Sequence, residues 1–297
     1  MNKSLLNIIA IFLIISSCTS NHTSEEVYDD SDSTKVDSSV ALNGQEITSV
    51  IQSIPSPLEL TSLIKQSGAE YSSDILNKTS NKQNYNTPFK KAINLGIYGA
   101  DMGYVNLYEK TFAAADYLES VKTLANDLKV GQFFDFESIK RLASNSKNVD
   151  SLLYISTSGF EKMNNYLTKQ KRNNISVLIL VGGWLETVYL STETAQKNSN
   201  KELIERVGEQ KISLEQIVKL LSVYQKDPEF AQLVKDCNDL KTNFDKVTIT
   251  YIEGEPIEKE VNGMLIVEEQ TKEIIDISPE VFKVIAGKVR EIRSKLI

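Results

Sequence analysis

Residues 175–190 read ISVLILVGGWLETVYL. As a helix this stretch is apolar nearly all round, and such a helix belongs at the centre of a domain rather than on its surface. A strand over Ser176–Val181 stays open, because a short β-branched run fits either period. A second stretch, FKKAINLGIYGADMGYVNLYEK (89–110), reads as a long helix with Ile93, Ile97, Ala100, Tyr104, Leu107 and Tyr108 at helical spacing. Gly96, Gly99 and Gly103 make a second, flat stripe on it. Each glycine costs about 1 kcal/mol in a helix interior. The stripe therefore points to close approach of a neighbouring helix or of a ligand, with helix packing the plainer choice.

Working outward, helix starts are marked by a capping residue followed by proline at Ser56-Pro57, Thr87-Pro88, Asp227-Pro228 and Ser278-Pro279. Helices are expected from Pro57 to about Gly68, from Phe112 to Leu128 with Gly131 ending it, from Asp135 through Leu142, and from Val149 to Leu167. Ser213 is expected to cap a helix through Ile217 and Leu221, and the run KNSNKELIERVGEQK before it to be a solvated helix face. Phe230, Val234, Cys237, Leu240 and Phe244 give the next inward stripe. Residues 246–277 alternate and contain turn residues, which predicts a small β-hairpin or three-stranded flap. A final amphipathic helix spans 279–296. The expected fold class is mainly α, a helical bundle with a small β-hairpin near the C-terminus.

Two halves look alike, about residues 88–170 and 172–245. IYGADMGYVNL lies over LVGGWLETVYL, placing Gly99 over Gly182, and FESIKRLAS lies over LEQIVKLLS, placing Ile139 over Ile217. The reading is a duplicated helical unit with a pseudo-two-fold axis near the two glycine-bearing helices. Chance likeness of amphipathic helices is the alternative. A pocket between the paired faces would follow from the duplication.

The chain opens MNKSLLNIIAIFLIISSC. Lys3 gives a positive start, Leu5–Ile15 an apolar core too short for a comfortable membrane span of about 20 residues. Ile15-Ser16-Ser17-Cys18 resembles a lipobox, so residues 1–17 are expected to be a lipoprotein signal peptide and Cys18 to carry the lipid. The alternative is an uncleaved anchor helix, which tethers the protein to a membrane equally. Residues 18–50, rich in Ser, Thr, Asp and Glu, are expected to be a disordered acidic tether, because they offer little apolar surface to offset ordering entropy. Residues 51–297 then form a single helical domain.

Composition excludes much chemistry. The formal charge is −7 and no basic patch interleaves with aromatics, so nucleic acid is not an expected partner. The one histidine is His22, in the tether, so the domain has no imidazole for a Ser-His-Asp or Cys-His system or for ordinary zinc and haem sites. With Cys18 acylated, Cys237 stands alone on an apolar stripe, where a buried inert thiol is the default. No metal or cofactor is expected. Asp101 and Glu186 are carboxylates in apolar helices, costly unless paired or hydrogen-bonded. Together with Tyr104 and Trp184 they are the candidate cluster for a ligand or cation. The plainer alternative is that they fix packing.

The lipobox, the acidic tether and the phrases LGIYGADMGY and LILVGGWLE together resemble a group of uncharacterised outer-membrane lipoproteins of Bacteroidota. The resemblance implies a lipid-anchored place in the cell envelope and carries no activity. Three functions follow as expectations. The first is a non-enzymatic binding or scaffold module with an envelope protein as partner. The second is a small-molecule or ion sensor with a pocket around Asp101, Trp184 and Glu186. The third, a carboxylate-based hydrolase, needs two carboxylates facing one solvent cleft.

Overall fold

The computed structural model describes residues 44–54, 57–143, 149–254, 257–261, 264–268 and 271–297. The expected signal peptide, Cys18, His22 and most of the tether lie outside them. The structure is a mainly α helical bundle with a small antiparallel β element near the C-terminus.

Helix α7 (Asn173–Asn198) is its axis, and residues 175–192 are buried without a break. No strand forms at Ser176–Val181. By length and hydropathy α7 could cross a membrane, but its apolar window is wholly buried by protein. It is the core helix of the domain.

Helix α3 (Pro88–Leu107) lies against α7. The approach is set by glycines from both sides. A Cβ on Gly96 would stand 2.0 Å from the Ile179 carbonyl oxygen, and one on Gly182 would stand 2.0 Å from that of Ile93. Any larger residue would wedge the backbones apart, so glycine's cost in helix propensity is offset by packing at the crossing.

Helices α4 (Thr111–Asp127), α5 (Phe136–Ala143) and α6 (Val149–Lys169) form a consecutively packed set: α4 lies on α3 and α6 on α7. Helices α8 (Lys201–Ser222), α9 (Pro228–Phe244) and α10 (Pro279–Leu296) form another, joined to α7 through α8 and α10. Helix α2 (Pro57–Gln66) bridges α3, α7 and α8, and α1 (Gly44–Gln52) rests on α6, α7 and α8. Ser56 lies outside the described residues; the other capping signals before a helix act as read. Thr87 Oγ1 accepts from the Lys90 amide (3.2 Å), Asp135 Oδ1 from Ser138 (3.0 Å), Asp227 Oδ1 from Glu229 (3.0 Å) and Ser278 Oγ from Val281 (3.2 Å).

Several expectations need correction. The domain begins by Gly44, not residue 51: Ile47, Val50 and Ile51 of α1 are buried, so enough apolar surface lies in that stretch to order it. Ser213 is not a cap. Helix α8 starts at Lys201, where Asn200 Oδ1 accepts from the Leu203 amide at 2.8 Å, and the charged run is its first half, burying Leu203 and Val207. The β element has four strands rather than two or three. β1 (Thr248–Glu253) pairs with β4 (Thr271–Asp276), and β2 (Ile257–Val261) pairs with β3 (Met264–Glu268), both antiparallel. They are nested, Thr248 opposite Asp276 and Ile257 opposite Glu268.

The two aligned halves are built differently. Three helices follow α3 before α7, whereas two follow α7 before the strands. FESIKRLAS begins its own short helix, α5, while LEQIVKLLS is the last nine residues of the 22-residue α8. Gly182 is jammed against Ile93, yet nothing stands within 4 Å of where a Cβ on Gly99 would be. Reciprocity is confined to the α3–α7 crossing.

Candidate functional site

The four residues of the candidate cluster separate into three places. Asp101 and Glu186 do come together, both fully buried. Arg293 of α10 joins them. Its Nε donates to Glu186 Oε2 (2.5 Å) and its Nη2 to Glu186 Oε1 (2.7 Å), a two-pronged pair. Nη2 also donates to the Ile75 carbonyl (3.1 Å), and the guanidinium carbon lies 4.1 Å from the Tyr189 ring centre. Sequence reading missed Arg293, because a basic residue in the last turn of an exposed-looking helix is ordinarily a solvated one.

Asp101 Oδ2 accepts from the Asn77 amide (3.2 Å), while Oδ1 is buried and has no donor. Burial pushes the Asp101 carboxyl well above its ordinary range, and the neighbouring Glu186 charge adds to this. Both effects favour the protonated carboxyl, the form in which Oδ1 would be a donor toward Glu186 instead of an acceptor without a partner. One proton, two carboxyls and one guanidinium then leave the buried group neutral. Burial works against the Arg293 charge, but Glu186 and Asp101 outweigh it and raise its pKa.

The surroundings are a bolt rather than a cleft. Asn77 Nδ2 donates to Tyr85 (2.9 Å), the Tyr117 hydroxyl donates to the Asn77 carbonyl (2.8 Å), and the Tyr98 hydroxyl donates to the Lys78 carbonyl (2.8 Å). These bonds pin the segment around Asn77 to α3 and α4. Neither carboxyl group meets solvent, so these two residues face no common cleft.

Tyr104 stands apart. Its hydroxyl accepts from the Ser72 amide (3.0 Å), and its ring packs on Tyr71 and Tyr108. With Tyr71, Glu193 and Lys197 it lines a polar hollow of ≈ 510 Å³. Trp184 points another way, its Nε1 donating to Gln210 on α8 (3.1 Å), and is a core residue. The pocket expected around Asp101, Trp184 and Glu186 is not where those residues are.

A cavity does occur on the same pair of helices, turned to another face. It measures ≈ 280 Å³ and is lined along α3 by Gly96, Gly99, Gly103 and Asn106, and along α7 by Ile179, Leu180 and Gly183. Phe134, Ile139, Leu152 and Phe160 wall it, and Ile51 and Ile54 close it from the N-terminal side. It reaches the surface. Gln52, Thr157, Glu161 and Asn165 line it and are exposed, and Gly99 is the single residue of 92–107 that is not buried. Within the glycine stripe, Gly96 lets the helices touch, as helix packing requires, whereas Gly99 faces open space. Two buried amide oxygens, Asn106 Oδ1 and Asn164 Oδ1, belong to lining residues and have no hydrogen-bond donor. Sequence reading singled out neither.

Among the described residues no group of three or more His, Cys, Asp or Glu is placed to hold a metal ion. Cys237 is buried, and burial pushes its thiol up to about 12, so it is unreactive at neutral pH. Comparison with models of known protein families, with curated proteins and with solved structures gives no match.

Proposed function

We propose that this chain is a lipid-anchored, non-catalytic binding module of the outer membrane, and that its helical domain takes a small, largely apolar molecule into the cavity beside Gly99. The observation that carries the reading is the cavity itself. Protein interiors are close-packed, with few voids larger than a water molecule. A hollow of ≈ 280 Å³ approaches the lower end of ligand pockets, about 300–1,000 Å³. Its lining is mostly aliphatic and aromatic, with few polar groups, as such sites are. The anchor rests on the Ile15–Cys18 lipobox and the acidic stretch behind it, and on the resemblance to Bacteroidota lipoproteins. The enclosed Asp101–Glu186–Arg293 group supports the non-catalytic side, since its polar atoms are turned on one another.

The test uses the protein purified from envelopes in mild detergent. Native mass spectrometry is expected to show a bound small molecule, and Gly99→Leu to abolish it, because the new side chain has open space to fill. A bound species equally retained by Gly99→Leu would overturn the assignment to this cavity.

A second reading, a scaffold for an envelope protein, is favoured by one surface. Ile252 and Ile274 stand 49% and 42% exposed on the β1–β4 ribbon. Stoichiometric co-purification of one envelope protein, abolished by Ile252→Ser with Ile274→Ser, would shift the weight to it.

A further inference from the structure

We infer that the polar hollow beside Tyr104 is a second ligand site, which takes a small zwitterion with its ammonium group against Glu193 and its carboxylate against Lys197. The inference goes beyond the apolar cavity and does not depend on it. The hollow measures ≈ 510 Å³, and its walls come from residues 68–75, from Tyr104 and from the last turns of α7. That is room for a molecule of amino-acid size together with bound water. Glu193 and Lys197 both line it and stand four residues apart on α7, the spacing at which opposite charges on a helix meet. Here each turns to another partner: Glu193 to Arg290 of α10, and Lys197 to the Ser72 hydroxyl. The two charges are thus held open toward one hollow rather than closed on each other.

Neither charge is saturated. Arg290 donates through Nε (2.9 Å) and Nη2 (2.5 Å) to Glu193 Oε1 alone, so Oε2 has no bond among the described residues, and the Glu193 side chain keeps 15% exposure. The Lys197 ammonium has three donors and spends one, on a long contact of 3.4 Å. Hydroxyls add to the wall. Thr187, Ser191 and Thr192 each turn a hydroxyl back onto a carbonyl of α7, whereas Thr194, in the lining, makes no such bond among the described residues. Glu70 adds a second carboxylate at the exposed rim. A lone anion in the hollow would meet Glu193 and Glu70, and a lone cation would meet Lys197. A molecule that carries both charges satisfies both ends, and hydrogen bonds between charged groups are the strong ones.

The test titrates 4-aminobutyrate, butyrate and butylammonium into the full-length protein, read by calorimetry. The zwitterion is expected to bind about tenfold or more tightly than either singly charged analogue, since each end adds a charge-assisted hydrogen bond. Glu193→Gln should reduce 4-aminobutyrate to the level of butyrate, and Lys197→Met should reduce it to the level of butylammonium. Lys197 is exposed and the Arg290 side of the Glu193 pair is half-exposed, so both variants are expected to fold, which circular dichroism verifies. Gly99→Leu should leave all three affinities unchanged, which keeps this site separate from the apolar cavity. A singly charged analogue that binds as tightly as the zwitterion would overturn the inference. So would 4-aminobutyrate that fails to bind, or that binds equally well to both variants.

Discussion

The Cβ that Gly96 lacks would lie 2.0 Å from the carbonyl oxygen of Ile179, inside the backbone of the neighbouring helix. One turn along the same stripe, a Cβ on Gly99 would meet nothing within 4 Å. The two glycines therefore respond oppositely to alanine. Gly99→Ala removes a helix-weakening residue without a clash and should stabilise the domain by up to about 1 kcal/mol. Gly96→Ala must separate α3 from α7 and should destabilise by about 1–3 kcal/mol or more. Denaturant midpoints of the two variants check this, and a shift of the same sign for both would contradict the packing described.

Arg293, a buried residue, is held by Glu186 at 2.5 and 2.7 Å and by the Ile75 carbonyl at 3.1 Å. Removing one partner of a buried ion pair leaves the other charge unpaired, at a cost of about 3–5 kcal/mol. Arg293→Met is expected to fall in that range. Arg293→Lys should recover only part of it, since an ammonium cannot make the planar two-pronged contact. The double variant Glu186→Leu with Arg293→Met should be less damaging than Arg293→Met alone, because no charge is then stranded. Thermal unfolding of the three variants decides it, and additive losses would show that the pair is not coupled.

Burial, with the neighbouring Glu186 charge, pushes the Asp101 carboxyl of the folded protein well above the ordinary 3.8 of the unfolded chain. The unfolded state thus binds fewer protons above that pH, and stability falls as pH rises from about 3.8 toward the raised folded value. This is opposite in sign to a salt-bridged aspartate. Asp101→Asn imitates the protonated group and lacks the titration. Relative to the unmodified protein, the variant should gain stability between about pH 4 and pH 7. Chemical denaturation at both pH values tests the sign, and parallel behaviour of the two proteins would remove the proton from Asp101.

How far the sequence was legible depends on what each signal was competing against. Helix starts were read correctly at Thr87, Asp135, Asp227 and Ser278, because capping is local chemistry between neighbours three or fewer residues apart. The burial of 175–190 was legible from apolarity alone. Helix α1 was hidden by its polar surroundings, since only Ile47, Val50 and Ile51 mark its inner face. The start of α8 was hidden because Lys and Glu dominate the run that follows Asn200. The meeting of Asp101 and Glu186 was anticipated as a cost needing a partner, but the partner was not. Arg293 lies 107 residues from Glu186, and no local pattern encodes that distance. The cavity was the least legible feature. A stripe of three glycines does not reveal which member touches a helix and which leaves space, and the orphan amide oxygens of Asn106 and Asn164 exist only once six helices are assembled around them.

Helix ends were misread for a reason that makes a final prediction. Gly131 was taken as the stop of α4, yet the chain turns earlier, at Lys129, with φ 62°. There the Val130 amide bonds the Ala125 carbonyl (2.9 Å) and the Lys129 amide bonds the Asn126 carbonyl (3.0 Å), the paired bonds of a Schellman ending. Lys171 repeats the arrangement after α6, with φ 56°, and Glu109 after α3, with φ 57°. Glycine favours this left-handed position, whereas an L side chain there is strained by about 1–2 kcal/mol. Lys129→Gly and Lys171→Gly should each stabilise the domain by a few tenths to about 1 kcal/mol, despite glycine's greater freedom in the unfolded chain. The same substitution at Lys122, inside α4, should destabilise by about 1 kcal/mol. Unfolding midpoints of the three variants provide the comparison, and a loss at Lys129 equal to that at Lys122 would show that the helix does not end in this way.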